Sequence, residues 1–69
     1  MAMSFVSVRH RSPAEGSQGE GRLMDIGIAH IVSVASEPTG GSGLFEVRLS
    51  STTVYVDAAD RQKILDAAA

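Results

Sequence analysis

The sequence has no cysteine among its 69 residues, and this absence removes two common ways of stabilising a small domain. Disulfide bridges cannot form, and the thiolate ligands of structural zinc sites are missing. A domain of this size buries only about 60% of the surface that its unfolded chain exposes, so its stability margin is small. Association with a copy of itself or with another protein remains as a way to bury more surface.

The sequence also lacks a large excess of charge of one sign and long apolar runs. Six basic residues stand against eight acidic ones, which gives a formal net charge of -2 and argues against nucleic acid as a partner. The longest apolar stretch, residues 26–35, is broken by Gly27, His30 and Ser33 and is shorter than the roughly 18 residues that span a bilayer. The first residues resemble no secretory signal. These patterns predict a cytoplasmic protein that binds no membrane.

Residues 44–57 carry the strongest structural signal, an antiparallel hairpin with its turn at Ser50 and Ser51. Side chains alternate between the two faces of a strand. This turn therefore predicts three apolar or β-branched pairs on one face: Leu49–Thr52, Val47–Val54 and Phe45–Val56. The other face carries most of the polar side chains, in the pairs Arg48–Thr53, Glu46–Tyr55 and Leu44–Asp57. We expect the first face to line the core and the second to face solvent.

Two further elements follow from the pattern of apolar residues. Alternation from Ile26 to Ala35 predicts one long strand with His30 in its apolar row, and the proline and three glycines of residues 37–43 end it in a wide loop. Residues 58–69 contain good helix formers and follow Asp57, which is suited to be an N-cap. They predict a short C-terminal helix.

The amino-terminal third allows two interpretations. The segment Met3–His10 alternates loosely and is either a fourth strand or a flexible arm. Residues 11–22 have Ala14 as their only apolar side chain, which predicts a mobile Gly-rich loop. We therefore divide the single domain into residues 1–22, an amino-terminal strand or arm with its loop, and residues 23–69, a compact β-meander with a C-terminal helix.

The expected fold is mainly β, of the α+β class. It is an antiparallel meander of three to four strands, or a small SH3-like barrel, with one short C-terminal helix. A helix of about three turns covers only part of a sheet. Either the sheet curls on itself, or another chain completes the core.

The residues offer no set from which a catalytic, cofactor or metal site can be built. Metal ions need three or four converging ligands, and only Asp25 lies near His30 in the sequence. We interpret His30 as a residue at a sheet margin or local bulge. The glycine-rich runs 16–21 and 40–43 are not followed by the helix that phosphate-binding loops require. We expect a non-enzymatic protein without cofactors.

Two groups of side chains are candidates for contact with a partner. Tyr55 stands beside Glu46 and Arg48 on the solvent face of the hairpin, a composition found at binding hot spots. Its expected apolar neighbours are Leu44 and Ile31. The second group is a weak basic cluster on the amino-terminal arm, and it consists of Arg9, His10, Arg11 and Arg22.

These candidates support two functions. The first is a small protein-interaction module, self-associating or part of a larger assembly, that buries apolar sheet surface or a strand edge against its partner. The alternative is a small nucleic-acid-binding regulator that uses the basic amino-terminal arm. We expect the first, because the net charge is acidic and acidic residues interrupt the basic cluster.

Overall fold

A computed structural model describes residues 4–68, which form five strands, two 3-10 turns and one α-helix. The strands are β1 (Phe5–His10), β2 (Arg22–Gly27), β3 (Ile31–Val34), β4 (Phe45–Leu49) and β5 (Thr53–Val56). The helix α1 is Ala58–Ala68, and the 3-10 turns are Gly16–Gln18 and Ile28–His30. Met3 and Ala69, which the sequence assigned to a strand and to the helix, lie outside the described residues.

The fold is mainly β with one C-terminal helix, which confirms the expected class. Strands β3, β4 and β5 form an antiparallel meander in that order, and β1 pairs with β2 in a separate antiparallel sheet of two strands. The five strands of the described chain do not close into a barrel, so the meander is the alternative that fits. The fourth strand therefore exists, but it belongs to a second sheet.

The hairpin of β4 and β5 has the predicted register. Phe45 lies opposite Val56, Val47 opposite Val54, Glu46 opposite Tyr55 and Arg48 opposite Thr53. The Leu49 amide donates to the Thr52 carbonyl at 2.7 Å and closes the turn. Val47 and Val56 are completely buried, so the predicted apolar face does line the core.

Leu44 is the exception, because it is completely buried where the sequence predicted a solvent-facing residue opposite Asp57. Strand β5 ends at Val56, and Asp57 leaves the sheet to begin the helix. Leu44 precedes β4 and forms an isolated antiparallel bridge with Thr39 instead. It also lies outside the main cluster of core residues.

The long strand predicted from Ile26 to Ala35 is wrong. The chain forms β2, then the 3-10 turn Ile28–His30, and then β3, because β2 pairs with β1 whereas β3 pairs with β4. The register shifts between Ile31 and Ser33, and the intervening Val32 is 63% exposed. His30 is exposed between the two strands, at the sheet margin that the sequence favoured for it.

The amino-terminal segment is a strand, and it contributes to the core. Val6 and Val8 of β1 are buried together with residues of β2, β4, β5 and α1, namely Ile26, Val47, Val54, Val56 and Ile64. The two sheets therefore share one core, with the helix against it. The sequence suggested that a curled sheet or a second chain must cover the inner face of the meander, but the β1–β2 sheet helps to cover it.

Backbone contacts outside the two sheets fix β1 on its other side. The Arg11 amide donates to the Tyr55 carbonyl of β5 at 2.8 Å. The Arg9 amide donates to Oδ2 of Asp60 in the helix at 3.0 Å. Asp57 caps the helix as predicted, since its Oδ1 accepts the Asp60 amide at 2.9 Å. The amino-terminal strand thus has partners in β2, β5 and α1.

The loop between β1 and β2 has local order. The amides of Glu15 and Gly16 both donate to the Ser12 carbonyl at 3.0 Å. A Cβ on Gly16 would lie 3.3 Å from the Ser42 carbonyl, so this loop lies against the loop that precedes Leu44. Gly21 closes the turn with a positive φ of 64°, and a Cβ there would lie 2.5 Å from the His10 carbonyl. Only glycine fits this position.

Substitution of Val8 tests the contribution of β1 to the core. Val8→Ala should lower the free energy of unfolding by about 2 kcal/mol, because it removes buried methyl groups and leaves a cavity. Val32→Ala, the same change at an exposed strand position, should cost at most about 1 kcal/mol. Urea denaturation followed by circular dichroism measures both. Equal losses would contradict the packing of β1 against the meander.

Candidate protein-interaction site

The predicted contact surface around Tyr55 is only partly assembled. Tyr55 and Glu46 lie opposite each other and are half-buried, and Arg48 is exposed beside them. Leu44 is inside the protein, and Ile31 is half-buried against the core in β3. Neither of the two expected apolar neighbours is therefore freely exposed on this face.

The basic cluster is largely occupied by contacts with its own loop. The Arg9 guanidinium donates to the Glu20 carbonyl at 3.1 Å. The Arg11 guanidinium donates to the Gly19 carbonyl and, at 3.5 Å, to Oδ2 of Asp57. These two side chains tie the loop of residues 11–21 to β1 and to the start of the helix.

His10 and Arg22 lie opposite each other at the ends of β1 and β2. They line an open groove of about 820 Å³ together with Glu15 and Glu20 of the loop. The lining is of mixed charge, so the groove has no potential of one sign that would attract a polyanion. Arg11 also lines this groove, so three of the four predicted basic residues border a surface that carries two carboxylates.

The His30 side chain lies against that of Ser50, a pair of residue types that occurs in catalytic dyads. Its Nδ1 lies 3.1 Å from the Ser50 hydroxyl, and both residues are exposed. A nucleophilic serine requires a third group that orients the histidine and donors for the oxyanion. Within residues 4–68 no hydrogen bond joins His30 to a carboxylate, and no group of three or more acidic or histidine residues could hold a metal ion. The contact joins the 3-10 turn to the hairpin tip.

Three large apolar side chains are more than half exposed in the described chain, and two of them belong to the β1–β2 sheet. Phe5 of β1 is 55% exposed and Leu23 of β2 is 66% exposed; the third is Val32 in β3. Phe5 and Leu23 lie on the sheet face opposite Val6, Val8 and Ile26. Leu23 could not be singled out from the sequence, because its exposure depends on the pairing of β2 with β1.

The edge of β2 that faces away from β1 has no neighbouring strand in the described part of the chain. The Ile28 amide donates to the Ser4 carbonyl at 3.0 Å, so even-numbered residues of β2 bond to β1. The amides and carbonyls of Leu23 and Asp25 point the other way. Both residues are exposed. We call the backbone of residues 23–25 on this side the β2 edge.

The hairpin tip explains why the β2 edge is unpaired. Ile31 pairs with Leu49, and the Ser50 amide donates to the His30 carbonyl at 2.9 Å. The chain then reverses at Ser50 and Ser51, so β4 ends beside the 3-10 turn and does not continue along β2.

Two arginines of the basic cluster allow a direct test of its structural role. Arg11→Ala should lower the free energy of unfolding by about 1–2 kcal/mol, because its half-buried contacts with the loop and Asp57 are lost. Arg22→Ala removes an exposed side chain nearby and should change the stability by less than about 0.5 kcal/mol. Thermal or urea unfolding measures both. Indistinguishable variants would mean that Arg11 does not hold the loop.

Comparison with known proteins finds no match that bears on this site. No protein-family model matches the chain, and neither the curated proteins nor the solved structures yield a similar one. In residues 4–68 no helix is both long enough and apolar enough to cross a membrane.

Proposed function

We propose that this chain is a non-enzymatic protein-interaction module that accepts an extended protein segment along the β2 edge. Strand addition supplies affinity through main-chain hydrogen bonds and selectivity through the alternate side chains beside the new strand. The observation that carries the proposal is the exposed pair Leu23 and Asp25, whose amides and carbonyls point away from β1, the only strand that pairs with β2 within residues 4–68.

The side chains around the β2 edge support binding of an apolar segment. Leu23 is 66% exposed on one face of β2, and Met24 packs at the border of the core on the other. An added strand would cover parts of both side chains. Burial of apolar area contributes about 25 cal/mol per Å², so these two contacts add to the hydrogen bonds of the edge.

The observations that favour nucleic acid as a partner are fewer. The guanidinium groups of Arg9 and Arg11 donate to carbonyls and a carboxylate of the protein itself, and the groove beside His10 and Arg22 contains carboxylates. Binding of single-stranded nucleic acid also uses stacking on exposed aromatic rings, and Phe5 lies at the far end of the strand pair from these residues. A protein partner therefore agrees better with this surface.

A proline at position 25 tests strand addition. The Asp25 amide faces the free side of β2, so Asp25→Pro should leave the pairing with β1 intact and remove one donor from the edge. Peptides selected from a random display library on the wild-type protein should bind this variant at least about tenfold more weakly. Isothermal titration calorimetry measures the affinities, and circular dichroism verifies the fold.

Asp25→Ala is the matched control. It removes the same carboxylate, including the hydrogen bond that Asp25 accepts from the Ser7 hydroxyl, but keeps the amide. Its peptide affinity should stay close to that of the wild type. If both variants lose binding equally, the side chain and not the β2 edge forms the contact. If no extended segment, whether a peptide or a second protein chain, pairs with the wild type along the β2 edge, strand addition is wrong.

A further inference from the structure

We infer that the segment that occupies the β2 edge is β2 of a second copy of this chain, paired antiparallel about a two-fold axis at Met24. This inference rests on the proposed function and names its partner. The result is a continuous sheet of four strands, in the order β1, β2, β2 of the partner copy and β1 of the partner copy. A two-fold contact needs a single surface that is complementary to itself.

The geometry of β2 selects this register from the alternatives. Residues that exchange hydrogen bonds across the edge must be extended, accessible and odd-numbered. Gly27 is buried, and Gly21 has a φ of 64°, so neither can extend the ladder. Leu23 and Asp25 remain. Their backbone amides and carbonyls can bond to each other when each Leu23 faces the Asp25 of the other copy.

The two other two-fold registers pair residues that are unfavourable or unable to bond. An axis at Asp25 places two carboxylates directly opposite each other, which is unfavourable, and it pairs Leu23 with the buried Gly27. An axis at Leu23 pairs Asp25 with Gly21, whose backbone turns away from the extended conformation. With the axis at Met24, the residues that exchange hydrogen bonds, Leu23 and Asp25, are both exposed and extended.

Side chains on both faces agree with the axis at Met24. The two Met24 residues become a directly opposed pair without mutual hydrogen bonds, the closer type of antiparallel pair. They lie on the face that packs against the core, where Met24 is half-buried. On the other face the two Leu23 side chains become diagonal neighbours at about 7–8 Å between backbones, within reach of each other. The most exposed large apolar side chain of the described residues is thereby covered.

The same geometry predicts a weak dimer with an unusual salt dependence. Only two residues of each chain exchange hydrogen bonds, so the contact is smaller than the roughly 1,600 Å² of standard stable interfaces. The Asp25 carboxylates are also diagonal neighbours, and they repel each other across an exposed surface. Salt screens such repulsion, so dimerisation should strengthen as ionic strength rises.

Sedimentation equilibrium of three proteins tests the dimer. The wild type should associate reversibly below about 1 mM, and Asp25→Pro should weaken association at least about tenfold, because it removes two donors from the symmetric contact. Asp25→Asn keeps the amide and removes the charge, so it should associate more tightly than the wild type at low salt. An unchanged dimer in Asp25→Pro would overturn this interface.

The absence of cysteine allows a second test of the register. Directly opposed residues without mutual hydrogen bonds lie about 4.5 Å apart at Cα, within the range that a disulfide bridges. Met24→Cys should therefore form a disulfide-linked dimer under mild oxidation. Leu23→Cys and Val32→Cys should do so several times less, because the first pair is diagonal and the second lies outside the contact. Preferential cross-linking of either control would overturn the register.

The outcomes separate this inference from the proposed function. A wild type that stays monomeric to about 1 mM but binds selected peptides in an Asp25→Pro-sensitive manner excludes the second copy and leaves strand addition standing. If Asp25→Pro leaves dimerisation unchanged and the protein binds no extended peptide, both the proposed dimer and strand addition are excluded. A dimer that is lost in Asp25→Pro and trapped by Met24→Cys supports both.

Discussion

The division of residues 22–34 between two sheets is the constraint on which the rest of the structure depends. The first half of this segment pairs with β1 and the second half with β4, and the 3-10 turn Ile28–His30 separates them. Because of this division β1 can reach the core, and both sheets contribute buried valines to one cluster. The same division leaves β2 with a single neighbouring strand among residues 4–68. The core and the open edge therefore have one cause.

Local patterns in the sequence predict the elements whose contacts are close in the sequence, namely the β4–β5 hairpin and the helix. The register of β4 and β5 follows from a two-residue turn and strict alternation, and the helix follows from its N-cap at Asp57. The sequence does not show where residues 26–35 break, because a continuous apolar alternation fits one long strand as well as two short ones. The break depends on which neighbour each half finds, and those neighbours are distant in the sequence.

The candidate contact surfaces were harder to predict than the fold for a related reason. Leu44 has the alternation of a solvent-facing residue but is buried, since β5 ends before it can pair. Arg9 and Arg11 have the composition of a binding arm, but their guanidinium groups donate to carbonyls and a carboxylate of the protein itself. In this small domain without disulfides, these charged side chains help to hold a long loop in place.

A free strand edge is also a risk, because it can template uncontrolled pairing. This edge is short, since Gly27 is buried at one end and Gly21 leaves the extended conformation at the other. It also carries Asp25, whose charge opposes registers that stack like residues. Both features would limit the addition of further copies: in the proposed dimer two copies pair once, and the four-stranded sheet ends in two β1 strands. The far side of β1 is engaged by Tyr55 and Asp60 through the amides of Arg11 and Arg9. A pair of this kind would be a closed assembly, which is why we favour a discrete dimer over an open fibre.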